Sequence, residues 1–279
     1  MHRQLNSIYE CNCPDCSAIT SKLAAADDKT PSFKDVLKAG EKAFKKLFDK
    51  GSYSPKDITD YSELIDKINA HLQNALELGI TEEIPDKMLK RLKEDVFIFS
   101  AFKTHAQLYE ASRLLLNEDG KMRSYSEFQT EIKAINPTYN SQYLEAEFIY
   151  AKAASQSAAN WDAITKEGDS YNLQYRTAGD DKVRASHADM DKITLPPSDN
   201  FWDLYYPPNG WRCRCVAVQV NKDKYEKSDP EAAMNKGDVS MSEKEAAIFK
   251  YNPGKEQVIF PPEHPYTKVK GASKIKENL

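Results

Sequence analysis

A chain of 279 residues is long enough for one large domain or two ordinary ones. With 40% hydrophobic and 29% charged residues it is neither a disordered polyelectrolyte nor an apolar membrane protein. A formal net charge of −4 excludes a surface built to coat nucleic acid, although not a local basic patch. No run approaches the ~18 continuous apolar residues of a membrane span. The opening MHRQLNSIYECNC lacks the apolar stretch of a secretory leader, so the chain is expected to be made and kept in a cytoplasm unless a larger assembly carries it.

The first 32 residues are a polar segment holding a cysteine cluster, and Pro31 and Ser32 mark a helix start. Phe33, Val36, Leu37, Phe44, Leu47 and Phe48 then recur at helical spacing, with lysines on the opposite face. Gly40 falls on the apolar face and weakens the expectation of an unbroken helix. A second helix follows Pro55 (Ile58, Tyr61, Leu64, Ile65, Ile68, Leu72, Leu76), with Gly79 as its expected C-cap. Pro85 opens a third, whose pattern runs from Met88 to Leu116. Ser124 and Ser126 can cap a short helix carrying Phe128 and Ile132, which Asn136-Pro137 should end. A fifth helix spans about 141–161 and includes the small-residue run AKAASQSAA, which permits close helix approach.

After Trp161 prolines and glycines become frequent. Residues 171–176 and 214–220 read as strands, and short helices fit about 230–235 and 242–249. The expected class is therefore α+β: an N-terminal long-helix domain (33–160) followed by a compact, loop-rich α+β domain (161–266) and a basic tail (267–279). The tail carries Lys268, Lys270, Lys274 and Lys276. It is expected to be a solvated end, with attraction to DNA as the alternative.

The segment from Tyr175 to Cys215 holds an ordered set of rare residues: Tyr175-Arg176-Thr177-Ala178, Asp180, Val183-Arg184, Ser186-His187, Pro196-Pro197, Phe201-Trp202, Pro207-Pro208-Asn209-Gly210-Trp211 and Cys213-Arg214-Cys215. This closely resembles the signature of the phage Mu F-like minor head proteins, the SPP1-type head morphogenesis family. Asn252-Pro253-Gly254 and His264-Pro265-Tyr266 match endings of the same family, while Lys192 stands where the family commonly has glycine. The resemblance implies a minor capsid protein of a tailed bacteriophage, made in the bacterial host cytoplasm and carried in the virion. It would associate with the portal protein and other head proteins and act in head morphogenesis, DNA packaging or ejection. It implies no catalysis and no organic cofactor. Related domains occur fused to toxins, and the dozen or so residues after Tyr266 are expected to leave no room for one.

The five cysteines suit thiolate ligands better than a disulfide framework. Cys213 and Cys215, two apart on an expected strand, share a face. With His187 they would supply three of four tetrahedral zinc ligands, and Asp189 could supply the fourth. The alternative is two small buried residues packed near Trp211. Cys11, Cys13 and Cys16 also suit zinc or a cluster, with Asp15 or His2 as the only near fourth ligands. The two groups could instead share one metal, or the first could be reduced thiols on a mobile segment.

Ser186, His187, Asp180 and Asp189 have the residue types of a catalytic set, but the sequence places none within hydrogen-bond reach of another. A polar network of Arg176, Asp180, Arg184 and His187 tying the loops together is the favoured account. The rivals are a virion-carried enzyme using His187 and its neighbouring arginines, and a zinc-stabilised DNA-handling protein. Phe201, Trp202, Tyr205, Tyr206 and Trp211 are expected to form a loop-built aromatic core, since five large rings are costly to expose.

Overall fold

The computed structural model describes Tyr9 and residues 33–279. Helix α1 (Phe33–Lys50) is unbroken: it buries Val36, Ala39, Ala43, Phe44 and Leu47 and exposes Lys38, Lys42, Lys45 and Lys46. Gly40 does not weaken it but makes room. A Cβ there would lie 2.2 Å from Asn136 Oδ1, and the same Asn136 amide donates to the Leu37 carbonyl at 2.9 Å.

A 3₁₀ stretch (Pro55–Tyr61), closed by a Ser54/Asp57 capping box, leads into α2 (Ser62–Gly79). Gly79 is the last helical residue rather than a left-handed cap. It is required by the crossing with α5 (Leu144–Glu167), where a Cβ would meet the Lys152 carbonyl oxygen at 2.2 Å. On the facing helix Ala151, Ala154, Ser155, Ala158 and Ala159 are buried, so the small-residue run does bring the two helices close. Gly79→Ala should therefore lower stability by about 1–3 kcal/mol, although alanine is the better helix former. The urea midpoint measures this, and an unchanged or raised midpoint would count against the crossing.

Helix α3 (Asp86–Ser112) stops four residues short of the expected Leu116. Leu116 instead forms a β-bridge with Met122 across the turn at Asn117–Gly120. Ser124 and Glu127 make a capping box for α4 (Tyr125–Ile132). Pro137 does not end helical structure as expected. A helical turn (Ile135–Pro137) and a π-helical run (Thr138–Tyr143) continue into α5. Proline is tolerated here because it sits in the first turn, where its missing N–H has no helical partner to lose. The wide π turns aim Tyr139, Asn140 and Tyr143 inward.

Beyond α5, β1 (Asn172–Arg176) is the middle strand of an antiparallel sheet ordered β2-β1-β3, with β2 at Thr194–Leu195 and β3 at Val216–Val220. Leu173 pairs with Leu195 on one side and Gln219 on the other. The short helices α6 (Phe201–Tyr205) and α7 (Pro230–Ser240) lie against each other. All five expected core aromatics, Phe201, Trp202, Tyr205, Tyr206 and Trp211, are buried. They join rings from the helices: Tyr150 meets Trp211 edge-on at 4.9 Å, Trp161 meets Tyr206 at 4.9 Å, and Phe99 stacks on Phe260 at 3.6 Å. One buried apolar cluster runs through both the helices and the sheet.

The lysine-rich tail is packed rather than solvated. Val269, Ala272 and Ile275 are buried, and the His105 ring lies 3.2 Å from the Lys270 carbonyl oxygen. Its lysines ride on an apolar spine that the charge pattern obscured.

Lys192, at the position where glycine was noted as usual, takes φ 66°. Its N–H donates to the Tyr175 carbonyl at 2.8 Å, holding the turn that returns the chain to β2. A left-handed non-glycine residue is strained by ~1–2 kcal/mol, partly offset by the entropy glycine adds to the unfolded chain. Lys192→Gly should raise stability by about 0.5–1 kcal/mol, read as a higher melting temperature. A lower one would contradict the strain.

Candidate metal centre

His187 sits on a helical turn (Ala185–Ala188) held by its own N–H donating to the Arg184 carbonyl at 2.9 Å and by the buried Met190 that follows. Cys213 and Cys215 precede β3 rather than lying on it. The chain turns at Arg212 (φ 56°), the Cys213 N–H donates to Gly210, and pairing of β3 with β1 fixes Cys215. The two sulfurs nevertheless converge on one atom: Cys213 Sγ lies 3.6 Å and Cys215 Sγ 3.5 Å from His187 Nδ1. The three donors fall within 4.8 Å of one another. His187 is 4% exposed and each cysteine 8%, so all three are buried. Both thiols are free.

The pair is electrostatically lopsided. The hydrogen bond from Cys215 pushes the Cys213 thiol well below its usual range, with His187 assisting against burial. Cys215, as the donor to Cys213 and itself desolvated, is pushed up. The Tyr175 phenol also reaches Cys215 and donates to Asn209 Oδ1 at 3.1 Å.

The other expected site residues disperse. Asp189 is exposed and outside the donor cluster, so it is not a fourth ligand. Asp180 is gripped by both Arg214 guanidinium nitrogens at 2.7 Å, which holds its carboxyl down at about 2. Arg184 donates to the Trp211 carbonyl at 2.7 Å, and Arg176 to Gln174 Oε1 at 3.0 Å. The network of Arg176, Asp180, Arg184 and His187 is thus replaced by separate ties, each to a different partner. Asp180 and His187 form no pair: both Asp180 oxygens are taken by Arg214, and His187 Nδ1 faces the two sulfurs. Cys11, Cys13 and Cys16 lie outside the described residues.

A second polar cluster escaped the sequence reading. Lys103 on α3 and Glu147 on α5 form an ion pair at 2.8 Å with both side chains fully buried. Glu147 Oε1 also accepts from Tyr9 at 2.6 Å and Tyr266 at 3.0 Å. The Tyr9 ring stacks on Tyr143 at 4.1 Å and Trp211 at 4.8 Å. Nothing in helical periodicity signals that a Lys and a Glu 44 positions apart face inward together.

The helices and the small sheet share one buried core, and the loops of the sheet bury an aromatic and thiol cluster. The family described as "Phage Mu protein F like protein" matches residues 66–218, more than half of the chain, and the chain belongs to that family. A stretch of 42 residues is 43% identical to the "Putative capsid assembly protein F" of Escherichia phage Mu, covering 15% of this chain and 10% of that protein. No solved structure matches the chain.

Proposed function

We propose that the chain acts in the assembly of a bacteriophage head, as a minor capsid protein that joins the portal and neighbouring head proteins. The observation that carries this reading is where the family signature goes. Tyr175, His187, Phe201, Trp202, Trp211, Cys213 and Cys215 are all buried, so the signature residues build a core instead of presenting reactive groups to a substrate. Family membership and the printed name of the phage Mu relative support the same reading. Among the described residues no helix is long and apolar enough to cross a membrane.

The test is a phage carrying a nonsense mutation in this gene, grown on suppressing and non-suppressing hosts. Aberrant or empty heads on the non-suppressing host, and the chain recovered with the portal from purified particles, are the expected result. Normal heads and full infectivity without the chain would overturn the assignment.

A further inference from the structure

We propose that His187, Cys213 and Cys215 bind one zinc ion, which staples the loop before β2 to the loop after it. Two observations converge on this. The first is convergence on a single nitrogen. An imidazole Nδ1 carries either one lone pair or one proton, so it can serve one thiol but not two. Yet both sulfurs approach it at nearly equal distance, 3.6 and 3.5 Å. An ion held among the three donors satisfies all of them at once.

The second is the size of the triangle. Zinc–sulfur bonds of ~2.3 Å and a zinc–nitrogen bond of ~2.0–2.1 Å at the tetrahedral angle set sulfur and nitrogen about 3.6 Å apart. Both observed edges agree with that value.

Burial selects the metal further. Zinc binding breaks two S–H bonds, forms two zinc–sulfur bonds and one zinc–nitrogen bond, and releases two protons to solvent. The product, a dication with two thiolates and a neutral imidazole, has no net charge, which suits donors that are at most 8% exposed. Three protein donors leave one tetrahedral position for water. His187 borders a cleft of about 440 Å³ and the cysteines one of about 180 Å³, either of which could admit it.

The staple has a mechanical purpose. Residues 177–193 and 196–215 contain only short helical turns and no strand. His187 belongs to the first stretch and the cysteines to the end of the second. An ion between them would tie the two loops to each other across the sequence that separates them.

The experiment uses the full-length chain, dialysed against zinc and then freed of loose metal. About one zinc per chain is expected, retained in the Cys11→Ser/Cys13→Ser/Cys16→Ser chain and reduced to below about a tenth in Cys213→Ser/Cys215→Ser. Because the last variant can misfold, the unaltered chain is also loaded with cobalt(II). Intense tetrahedral d–d bands with thiolate-to-metal charge transfer are expected. A chain that holds no zinc, zinc that survives the Cys213/Cys215 replacement, or a weak six-coordinate cobalt spectrum each overturns the proposal. So does an intact mass lacking two hydrogens that maps to a Cys213–Cys215 disulfide. None of these outcomes bears on the role in head assembly, which the phage experiment tests separately.

Discussion

Glu147→Gln should destabilise the chain by about 3–5 kcal/mol, the cost of leaving one member of a buried ion pair without its counter-charge. Lys103 is fully buried, and burial pushes its ammonium down from the ordinary lysine range while Glu147 pulls it back. Replacing the carboxylate removes that restoring attraction and leaves an ammonium with no anion within reach among the described residues. The effect extends beyond the pair. Tyr9 and Tyr266 both donate to Glu147 Oε1, and burial keeps these phenols protonated as donors. Their rings connect the carboxylate to Tyr143, Trp211 and Phe99, so the network ties the helices to the loops.

The converse change, Lys103→Met, should be similarly severe, because it strands the carboxylate. The double change Lys103→Met/Glu147→Gln should recover much of the loss, since two neutral groups of similar volume need no mutual compensation. Urea midpoints of the four chains supply the comparison. Single changes below about 1 kcal/mol, or a double change as damaging as the sum, would show that the pair does not act as a unit.

That pair also shows where sequence reading stops. The amphipathic helices were legible because burial on α1 and α2 follows a 3.6-residue period that Val36, Phe44, Leu47, Leu64, Ile68 and Leu72 repeat. On α3 the period fails: Ser100 through Leu108 are all buried, polar and apolar alike, since the helix is surrounded on every side. Lys103 therefore looked like any solvated lysine. Pro137 misled for a different reason, because a proline marks a helix end or a first turn, and only the fold decides which.

The thiol–imidazole cluster was legible in part. Residue type singled out His187, Cys213 and Cys215, whose donors the fold brings together. Asp189 was admitted by proximity in sequence alone, and a helical turn two residues away sends it to the surface. Gly40 was read as a weak point and Gly79 as a cap because a sequence shows the missing side chain but not the neighbour that needs the space.

Acid should destabilise the chain well before its carboxylates are neutralised, by about 3 kcal/mol between about pH 7.5 and about pH 5. Three buried histidines are responsible. Burial lowers His71 and His105 to about 4 each, and lowers His264 as well. The hydrogen bonds fit neutral rings. His105 Nδ1 accepts from Tyr53 at 2.8 Å while Nε2 faces the Lys270 carbonyl. His264 Nδ1 accepts from the Tyr266 N–H at 3.2 Å, leaving Nε2–H for Tyr9. His71 is wedged between Phe33 and Phe148 with no hydrogen-bond partner among the described residues.

A histidine whose folded pKa lies below its unfolded value of ~6.5 binds its proton more readily when unfolded. Its contribution is complete above ~6.5 and is lost as pH falls toward the folded value near 4. Asp95 runs the other way. Burial lifts it to about 6, so acid relieves its strain and offsets part of one histidine's effect. Glu145 and Glu256, also lifted by burial, add to that offset.

Urea titrations across this range, with chelator present throughout so that metal loss does not contribute, read the net slope. His71→Met should flatten it by up to about 1.4 kcal/mol per pH unit, because one titrating site is removed. Stability that stays level, or rises, on acidification would mean that these rings gain access to water or to an anion in the folded chain. The unpartnered His71, sealed between two phenylalanines, is the ring for which that outcome would be hardest to reconcile with the packing.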